Sequence, residues 1–122
     1  MSKEKEESMV LVQSIIEGIF EKKGEKVLKL DMRALENSVC EYFIICHASS
    51  KPQVDSIAES VELNVKKKVK ERPIHKEGLE NCFWVLYDYG NVVVHIFMEE
   101  YRNFYNLEEL WADAEVEEIF DN

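Results

Sequence analysis

Two acids and one histidine are the residues whose types could carry out chemistry. Asp31 and Asp88 end predicted strands, and His95 lies on the strand that follows Asp88. Two carboxylates at one end of a sheet could hold a magnesium ion, which would serve a metal-dependent nucleotidyltransferase or phosphohydrolase. The same residues suit structural roles, because aspartate caps turns and a histidine between apolar neighbours is usually a hydrogen-bonded core residue. We expect the structural roles and keep the enzyme as the alternative.

Other catalytic and metal-binding patterns are missing from the sequence. It has no GxxxxGK(S/T) or GxGxxG phosphate loop and no GxSxG nucleophile turn. His47 and His75 stand apart from other metal ligands, and the side chains of Cys46 and His47 would point to opposite faces of a strand. We therefore predict that the protein is not an enzyme and that it holds no metal or other cofactor.

The composition is that of one compact domain. The chain has 122 residues, of which 46% are apolar and 33% are charged, enough to build a single core. No apolar run approaches the roughly 20 residues that cross a bilayer, and the charged start MSKEKEES is not typical of a secretory signal. Three cysteines without CxxC spacing indicate reduced thiols in a cytoplasmic protein: Cys40, Cys46 and Cys82.

The negative charge of the chain is concentrated near its end. The formal net charge is −10, and residues 99–122 carry −8 of it, from nine acids and one base. Such a field favours a partner protein with a basic surface over nucleic acid, although it would also serve solubility alone. The basic cluster at 66–72 ends a predicted helix, where the helix dipole stabilises cations. We expect no sequence-specific nucleic-acid binding and no membrane association.

Hydrophobic periodicity predicts a helix followed by a strand at the start of the chain. An apolar stripe at helical spacing covers 9–23, and Gly24 is the expected C-cap. Residues 27–31 then form a short predicted strand.

A strand and a long helix are predicted next. The apolar, β-rich run 41–46 is typical of a strand that is buried on both faces. Ser50 and Gln53 form a predicted capping box for a helix that continues to Arg72. A buried strand, a tight turn and a helix form a βα unit, which implies parallel pairing in the sheet.

The second half of the chain predicts a hairpin and an irregular end. Residues 74–76 suit a short edge strand, and the runs 83–88 and 92–97 flank a Gly-containing turn. One or two helical turns are expected within 98–111. The acidic end of the chain is expected to be frayed.

Aromatic residues gather around the predicted hairpin and the segment after it. A core of this size cannot hide all of them, and exposed Trp and Tyr beside acids are typical of protein-binding hot spots. A second small core under the C-terminal segment would account for some of them. The set is Trp84, Tyr87, Tyr89, Tyr101, Phe104, Tyr105 and Trp111.

Two segments resemble the signatures of a known family. Residues 84–97 (WVLYDYGNVVVHIF) and 102–111 (RNFYNLEELW) are similar to the two C-terminal signatures of the ribosomal silencing factor family, also called Iojap-like. The blocks 30–33 and 40–45 and the Ser-rich turn at 49–54 resemble its upstream blocks, so the match spans about 10–111. Residues 1–8 are then expected to be a flexible N-terminus, 9–111 the family domain and 112–122 an acidic tail.

The resemblance implies a fold and a function. The fold would be a single α/β domain of nucleotidyltransferase-like type, with a mixed β-sheet flanked by helices and with catalysis lost. Members of the family bind the large ribosomal subunit through its protein number fourteen (uL14). They sterically block joining of the small subunit and so repress translation when nutrients are short. They are often homodimers in isolation.

The expected partner-binding residues lie in the two signatures. They are Trp84, Asp88, Tyr89, Tyr101, Arg102, Phe104, Tyr105, Leu107, Glu108 and Trp111. The chain departs from the usual family pattern at Glu41, His47 and Ala48, where Asp, a small or hydroxyl residue and Gly are commoner. None of these departures falls within the two signatures.

Overall fold

A computed structural model describes residues 3–35, 40–105 and 113–121, and the side chains of 8–35, 40–102 and 113–121. Three helices and six strands follow one another along these ranges. In chain order they are α1 (Lys3–Glu21), β1 (Glu25–Asp31), β2 (Tyr42–Ala48), α2 (Lys51–Lys68), β3 (His75–Glu77), β4 (Trp84–Asp88), β5 (Val92–Met98), α3 (Glu99–Tyr105) and β6 (Glu115–Ile119). None of the helices within the described ranges is long and apolar enough to cross a membrane.

The strands form one mixed sheet in the order β3-β4-β5-β2-β1-β6. The two central strands, β2 and β5, run parallel, from Tyr42 opposite Val92 to Ala48 opposite Met98, and the other neighbours are antiparallel. Every residue of β2 is buried. The predicted mixed sheet, its parallel pairing, the β4–β5 hairpin and the edge position of β3 are therefore confirmed.

Helices α1 and α2 pack together on one face of the sheet. Gly18 permits their close contact, because a Cβ atom at this position would lie 2.8 Å from the Val61 Cα. The Ser60 hydroxyl donates to the Gly18 carbonyl at 2.8 Å, and the Asn64 amide donates to the Ser14 carbonyl at 2.7 Å. These bonds fix the two helices in one register over the apolar face of β2 and β5.

The end of α1 differs from the prediction. Lys23, not Gly24, takes the left-handed conformation, with φ at 61°, and the Gly24 N–H bonds the Ile19 carbonyl at 2.9 Å in a Schellman arrangement. Gly24 is needed for a different reason, since a Cβ atom there would overlap the Ile19 side chain. The helix also begins at Lys3 rather than at residue 9.

The capping box of α2 is only half formed. The Ser50 hydroxyl accepts from the Gln53 N–H at 3.3 Å, as predicted. The Gln53 side chain instead donates to the Lys22 and Lys23 carbonyls at 3.4 and 3.3 Å, so it caps the end of α1. Helix α2 ends at Lys68, earlier than the predicted Arg72.

Residues 115–119, near the C-terminal end, form a strand of the sheet. The expectation of a frayed end is wrong for residues 115–119, which form β6 and pair antiparallel with β1 from Val27–Ile119 to Asp31–Glu115. Helix α3 covers the first part of the helical segment expected at 98–111, and residues 106–112 lie outside the described ranges. The division of the chain at residues 9 and 112 stays a prediction.

The three cysteines are free and buried, as the sequence predicts. Burial raises the pKa of Cys40 and Cys46 to about 12. Both thiols are therefore protonated at neutral pH and poor nucleophiles.

Replacing Gly18 with alanine should destabilise the protein. Alanine normally stabilises a helix relative to glycine by about 1 kcal/mol, but here the added methyl meets the backbone of α2 and must push the helices apart. We expect Gly18→Ala to lose about 1–3 kcal/mol in urea unfolding. The exposed Gln13→Ala on the same helix is the control and should change stability by less than about 0.5 kcal/mol. A stable Gly18→Ala protein would contradict the close helix contact.

Candidate protein-binding surface

An aromatic cluster lies on the face of the sheet opposite α1 and α2. Trp84, at the start of β4, is half-buried and stacks on Phe97 of β5, with ring centroids 5.3 Å apart. Its indole N–H donates to Nδ1 of His95 at 2.9 Å. Phe43 of β2 meets the His95 ring edge-on at 4.7 Å. His95 and Phe97, both on β5, thus fix the position of the Trp84 indole.

His95 is a neutral, structural residue. It is only 3% exposed, and burial lowers its pKa to about 4. Because the Trp84 N–H donates to Nδ1, the ring proton of neutral His95 resides on Nε2. The structural role expected for this histidine is confirmed, since its hydrogen-bond partner is the indole of Trp84.

The two candidate catalytic acids cannot share a metal ion. The Asp31 carboxylate is held by the Arg33 guanidinium at 2.9 and 2.7 Å, a bond that lowers the pKa of Asp31. The Asp88 carboxylate accepts the Gly90 N–H at 2.7 Å and caps the β4–β5 turn. Both lie at the same end of the sheet, but β5 and β2 separate their strands, which is about 14 Å at 4.8 Å per strand. The two carboxylates of the alternative enzyme hypothesis therefore do not meet at one site, and the structural roles expected for them are what the structure shows.

A second aromatic contact joins α3 to the hairpin. The Tyr101 ring stacks on Phe83, with centroids 4.3 Å apart and an interplanar angle of 19°. Phe83 precedes β4 and is 40% exposed. The Phe83–Tyr101 stack therefore presents aromatic surface to solvent at the end of the sheet where Trp84 lies. Sequence reasoning overlooked Phe83, whose place just outside the strand was not evident from the apolar run.

The side chain of Arg102, a residue of α3, is buried between this helix and the sheet. It is 7% exposed, and its Nη1 donates to the Lys26 carbonyl at 2.7 Å and lies 3.0 Å from Nδ1 of His47. A bulge in β1 places that carbonyl, with Lys26 in the left-handed region at φ 49°. Arg102 thus fastens α3 to β1 and β2, and its place among the partner-binding residues stays a prediction.

His47 lies at the centre of a charged cluster. Its Nε2 is 3.8 Å from a Glu25 carboxylate oxygen and 3.9 Å from one of Glu99. Within the described part of the chain, these three residues are the one group that could offer three ligands to a metal ion. Burial, followed by the positive charge of Arg102, lowers the pKa of His47.

The arrangement around His47 opposes a metal. Arginine can only donate, so Nδ1 of His47 must accept from Arg102 and the ring proton must be on Nε2. A metal bound at Nε2 would move that proton to Nδ1. The Nδ1–H would then point at the N–H of the Arg102 guanidinium, and neither group could accept. Metal-binding histidines instead donate their second N–H to a carboxylate, a carbonyl or water.

The remaining predicted partner-binding residues lie in the core, on α3 or outside the described ranges. Tyr89 is 3% exposed and packs in the main core, so a direct contact would require its ring to leave the core. Phe104 and Tyr105 lie on α3, but their side chains are not described. The last three predicted contacts lie outside the described ranges: Leu107, Glu108 and Trp111.

This chain is a single domain with a mixed six-stranded sheet flanked by helices, and its fold is similar to that of two crystal structures. A crystal structure of a protein from Chromobacterium violaceum superposes with a TM-score of 0.79 at 29% identity and covers 92% of this chain and 88% of its own. A second, from Bacillus halodurans, gives a TM-score of 0.74 at 37% identity, covering 83% and 92%. The nucleotidyltransferase-like label for the fold stays a prediction.

The sequence comparisons identify the family. The family model described as "Ribosomal silencing factor during starvation" matches residues 4–122. A ribosomal silencing factor from Halalkalibacterium halodurans is 39% identical over 112 residues, which is 89% of this chain and 92% of the relative. One from Bacillus subtilis is 40% identical over 106 residues, or 81% and 82%. The chain belongs to the ribosomal silencing factor family.

The buried neutral His95 should make stability depend on pH. Burial lowers the folded pKa of His95 to about 4, below the ordinary histidine pKa of 6.5, so the unfolded chain binds the proton first as the pH falls. His95 therefore stabilises the fold above about pH 6.5. Its contribution to the free energy of unfolding falls by about 2–3 kcal/mol between about pH 7 and pH 4.5. His95→Asn keeps an acceptor for the Trp84 indole but does not titrate.

Urea unfolding of both proteins at the two pH values measures this contribution. The loss of stability on acidification should be smaller in His95→Asn by about 2–3 kcal/mol. Equal losses in the two proteins would mean that His95 does not titrate as a buried group.

Proposed function

We propose that this protein binds the large ribosomal subunit through uL14 and sterically blocks joining of the small subunit, repressing translation under nutrient limitation. The proposal rests on family membership, since the curated relatives are named ribosomal silencing factors. The observation that carries it to particular residues is the Phe83–Tyr101 stack, in which Phe83 is 40% exposed. The proposal includes a cytoplasmic location, which the three free cysteines support, and a homodimer in isolation, which follows from the resemblance alone.

The aromatic residues are prepared for binding before a partner arrives. His95 holds the Trp84 indole, Phe83 holds the Tyr101 ring, and Arg102 holds the helix that carries Tyr101. Side chains fixed in this way lose little conformational entropy on binding. Trp and Tyr also bury large areas with only two side-chain torsions. This combination supports a rigid protein-binding surface at one end of the hairpin.

The charge around these aromatics favours a basic partner. Glu99 and Glu100 are exposed in the first turn of α3. Arg102, the one base in residues 99–122, is buried and bonded internally, so it does not interrupt the acidic surface. Complementary charge mainly speeds association and selects the partner. A basic ribosomal protein such as the proposed uL14 would meet this requirement.

The same contacts support a role without catalysis. Asp31 and Asp88 are each held in a local structural bond on separate strands, and His95 is a buried acceptor. No observation on the described residues favours the alternative nucleotide chemistry. We therefore propose that the protein acts by occupying a ribosomal surface.

Truncating the exposed aromatic stack should weaken binding to the large subunit. We expect Tyr101→Ala and Phe83→Ala each to lower affinity at least about tenfold in co-sedimentation through sucrose gradients, because a packed aromatic anchor contributes at least about 2 kcal/mol. Leu63→Ala is the matched control, since Leu63 is an exposed apolar residue on α2. Urea unfolding checks that each variant is folded. If both aromatic variants are folded and bind the large subunit like the parent protein, the interface lies elsewhere.

Association with the large subunit should slow as salt increases. Exposed charges are screened beyond about 8 Å at physiological ionic strength, so steering by the acidic surface weakens. Stopped-flow measurements should show a falling association rate with a smaller change in the dissociation rate. An association rate that does not change with salt would remove the electrostatic part of the proposal.

A further inference from the structure

The outer edge of β6 is a regular strand edge. Strand β6 pairs with β1 through five consecutive residue pairs, from Val27–Ile119 to Asp31–Glu115, with no bulge between them. It is the last strand of the sheet, so no other strand of the described chain lies beyond it. A regular edge of this kind offers backbone N–H and C=O groups for pairing with another extended segment.

The side chains along this edge combine acids with exposed apolar groups. Residues 113–121 contain five acids and no base. The Lys29–Glu117 pair, at 3.2 Å, is the one ion pair that β6 makes among the described residues. Val116 and Phe120 are 51% and 69% exposed. The edge therefore has unpaired negative charge next to apolar surface.

A second copy of this chain is a poor occupant. In an antiparallel β6–β6 pair, every register that joins three or more residues places one carboxylate directly opposite another, because three of the five residues of β6 are glutamates. Like charges opposite each other destabilise a strand pair. Asp31, which lies opposite Glu115 on the inner side, is paired with Arg33, but residues 113–121 contain five acids and no base, so the edge has an excess of negative charge before any partner is added.

We propose that β6 docks an extended, basic segment of a partner protein as a seventh strand of the sheet. The backbone of the segment would pair with the outer edge, with its lysines or arginines beside Glu115 and Glu117 on one face of the sheet and its apolar residues beside Val116 on the other. This surface is separate from the aromatic stack at Phe83 and Tyr101. The inference does not rest on the proposed ribosomal role.

The alternative is that the glutamates only protect the edge from aggregation. Charged side chains can protect an edge by themselves, and a bulge, a proline or an inward-pointing charge are further means of protection. Strand β6 has no proline and no bulge, and exposed Val116 and Phe120 are not required for protection. The features together favour selective pairing with a basic segment.

The probe for this experiment is a labelled peptide of about ten residues in which lysine and valine alternate. This length is enough for one strand. A second peptide of equal charge, with two valines replaced by proline, cannot pair as a strand. We expect the first to bind at least about tenfold more tightly by fluorescence anisotropy at physiological salt. Hydrogen exchange of the amides in residues 113–121 should slow at least about tenfold when it binds.

The protein variant Glu115→Lys/Glu118→Lys should lower the affinity for the lysine–valine peptide at least about tenfold. It should fold, because a lysine opposite Asp31 replaces a like-charge pair. Glu59→Lys/Glu80→Lys changes the net charge equally at exposed sites away from β6 and should alter affinity less than about threefold.

Three results would overturn the proposal. They are absence of binding by the lysine–valine peptide, equal binding of the proline peptide, and equal loss in the two protein variants. If the lysine–valine peptide does not bind, the glutamates serve only to protect the edge. Equal binding of the proline peptide, or equal loss in the two variants, would indicate general charge attraction. If the β6 variant fails to fold, hydrogen exchange of the parent protein decides, since unprotected amides in 113–121 contradict strand addition.

Discussion

The parallel pairing of β2 with β5 is the constraint on which the rest of the structure depends. Two parallel strands cannot be joined by a hairpin, so the chain must cross over between them. Helix α2 makes most of that crossing and covers one face of the sheet with α1. Because the carboxyl ends of the two strands lie together, α3 begins beside the end of β2. Arg102 can therefore reach His47, which is 55 residues earlier in the chain.

Burial determines the chemistry of the polar groups near this pair of strands. His95 is neutral because desolvation disfavours its protonated form, and His47 is held in one tautomer by a donor that cannot accept. Arg102 is bonded to a carbonyl that the bulge at Lys26 exposes. These side chains orient Trp84 and α3. His95, one of the three candidate catalytic residues, thus orients an aromatic side chain instead.

The sequence predicted those parts of the fold that local patterns determine. The buried run of β2, the Ser50 cap and the β4–β5 turn all have short-range signals, and the structure contains each of them. It did not predict β6, because an acidic run acquires its strand conformation from pairing with β1. The buried place of Arg102 was missed for a related reason, since its partners Lys26 and His47 come from distant parts of the chain. The aromatic character of the surface was evident from composition, but which rings are exposed depends on packing.

The most direct test of the central claim is subunit joining itself. Light scattering follows the association of purified large and small ribosomal subunits in the presence of increasing amounts of this protein. The account predicts that joining falls as the large subunit is occupied, and that excess large subunit restores joining because unoccupied large subunits then remain. Unchanged joining, at protein concentrations that saturate the large subunit in sucrose gradients, would contradict the account.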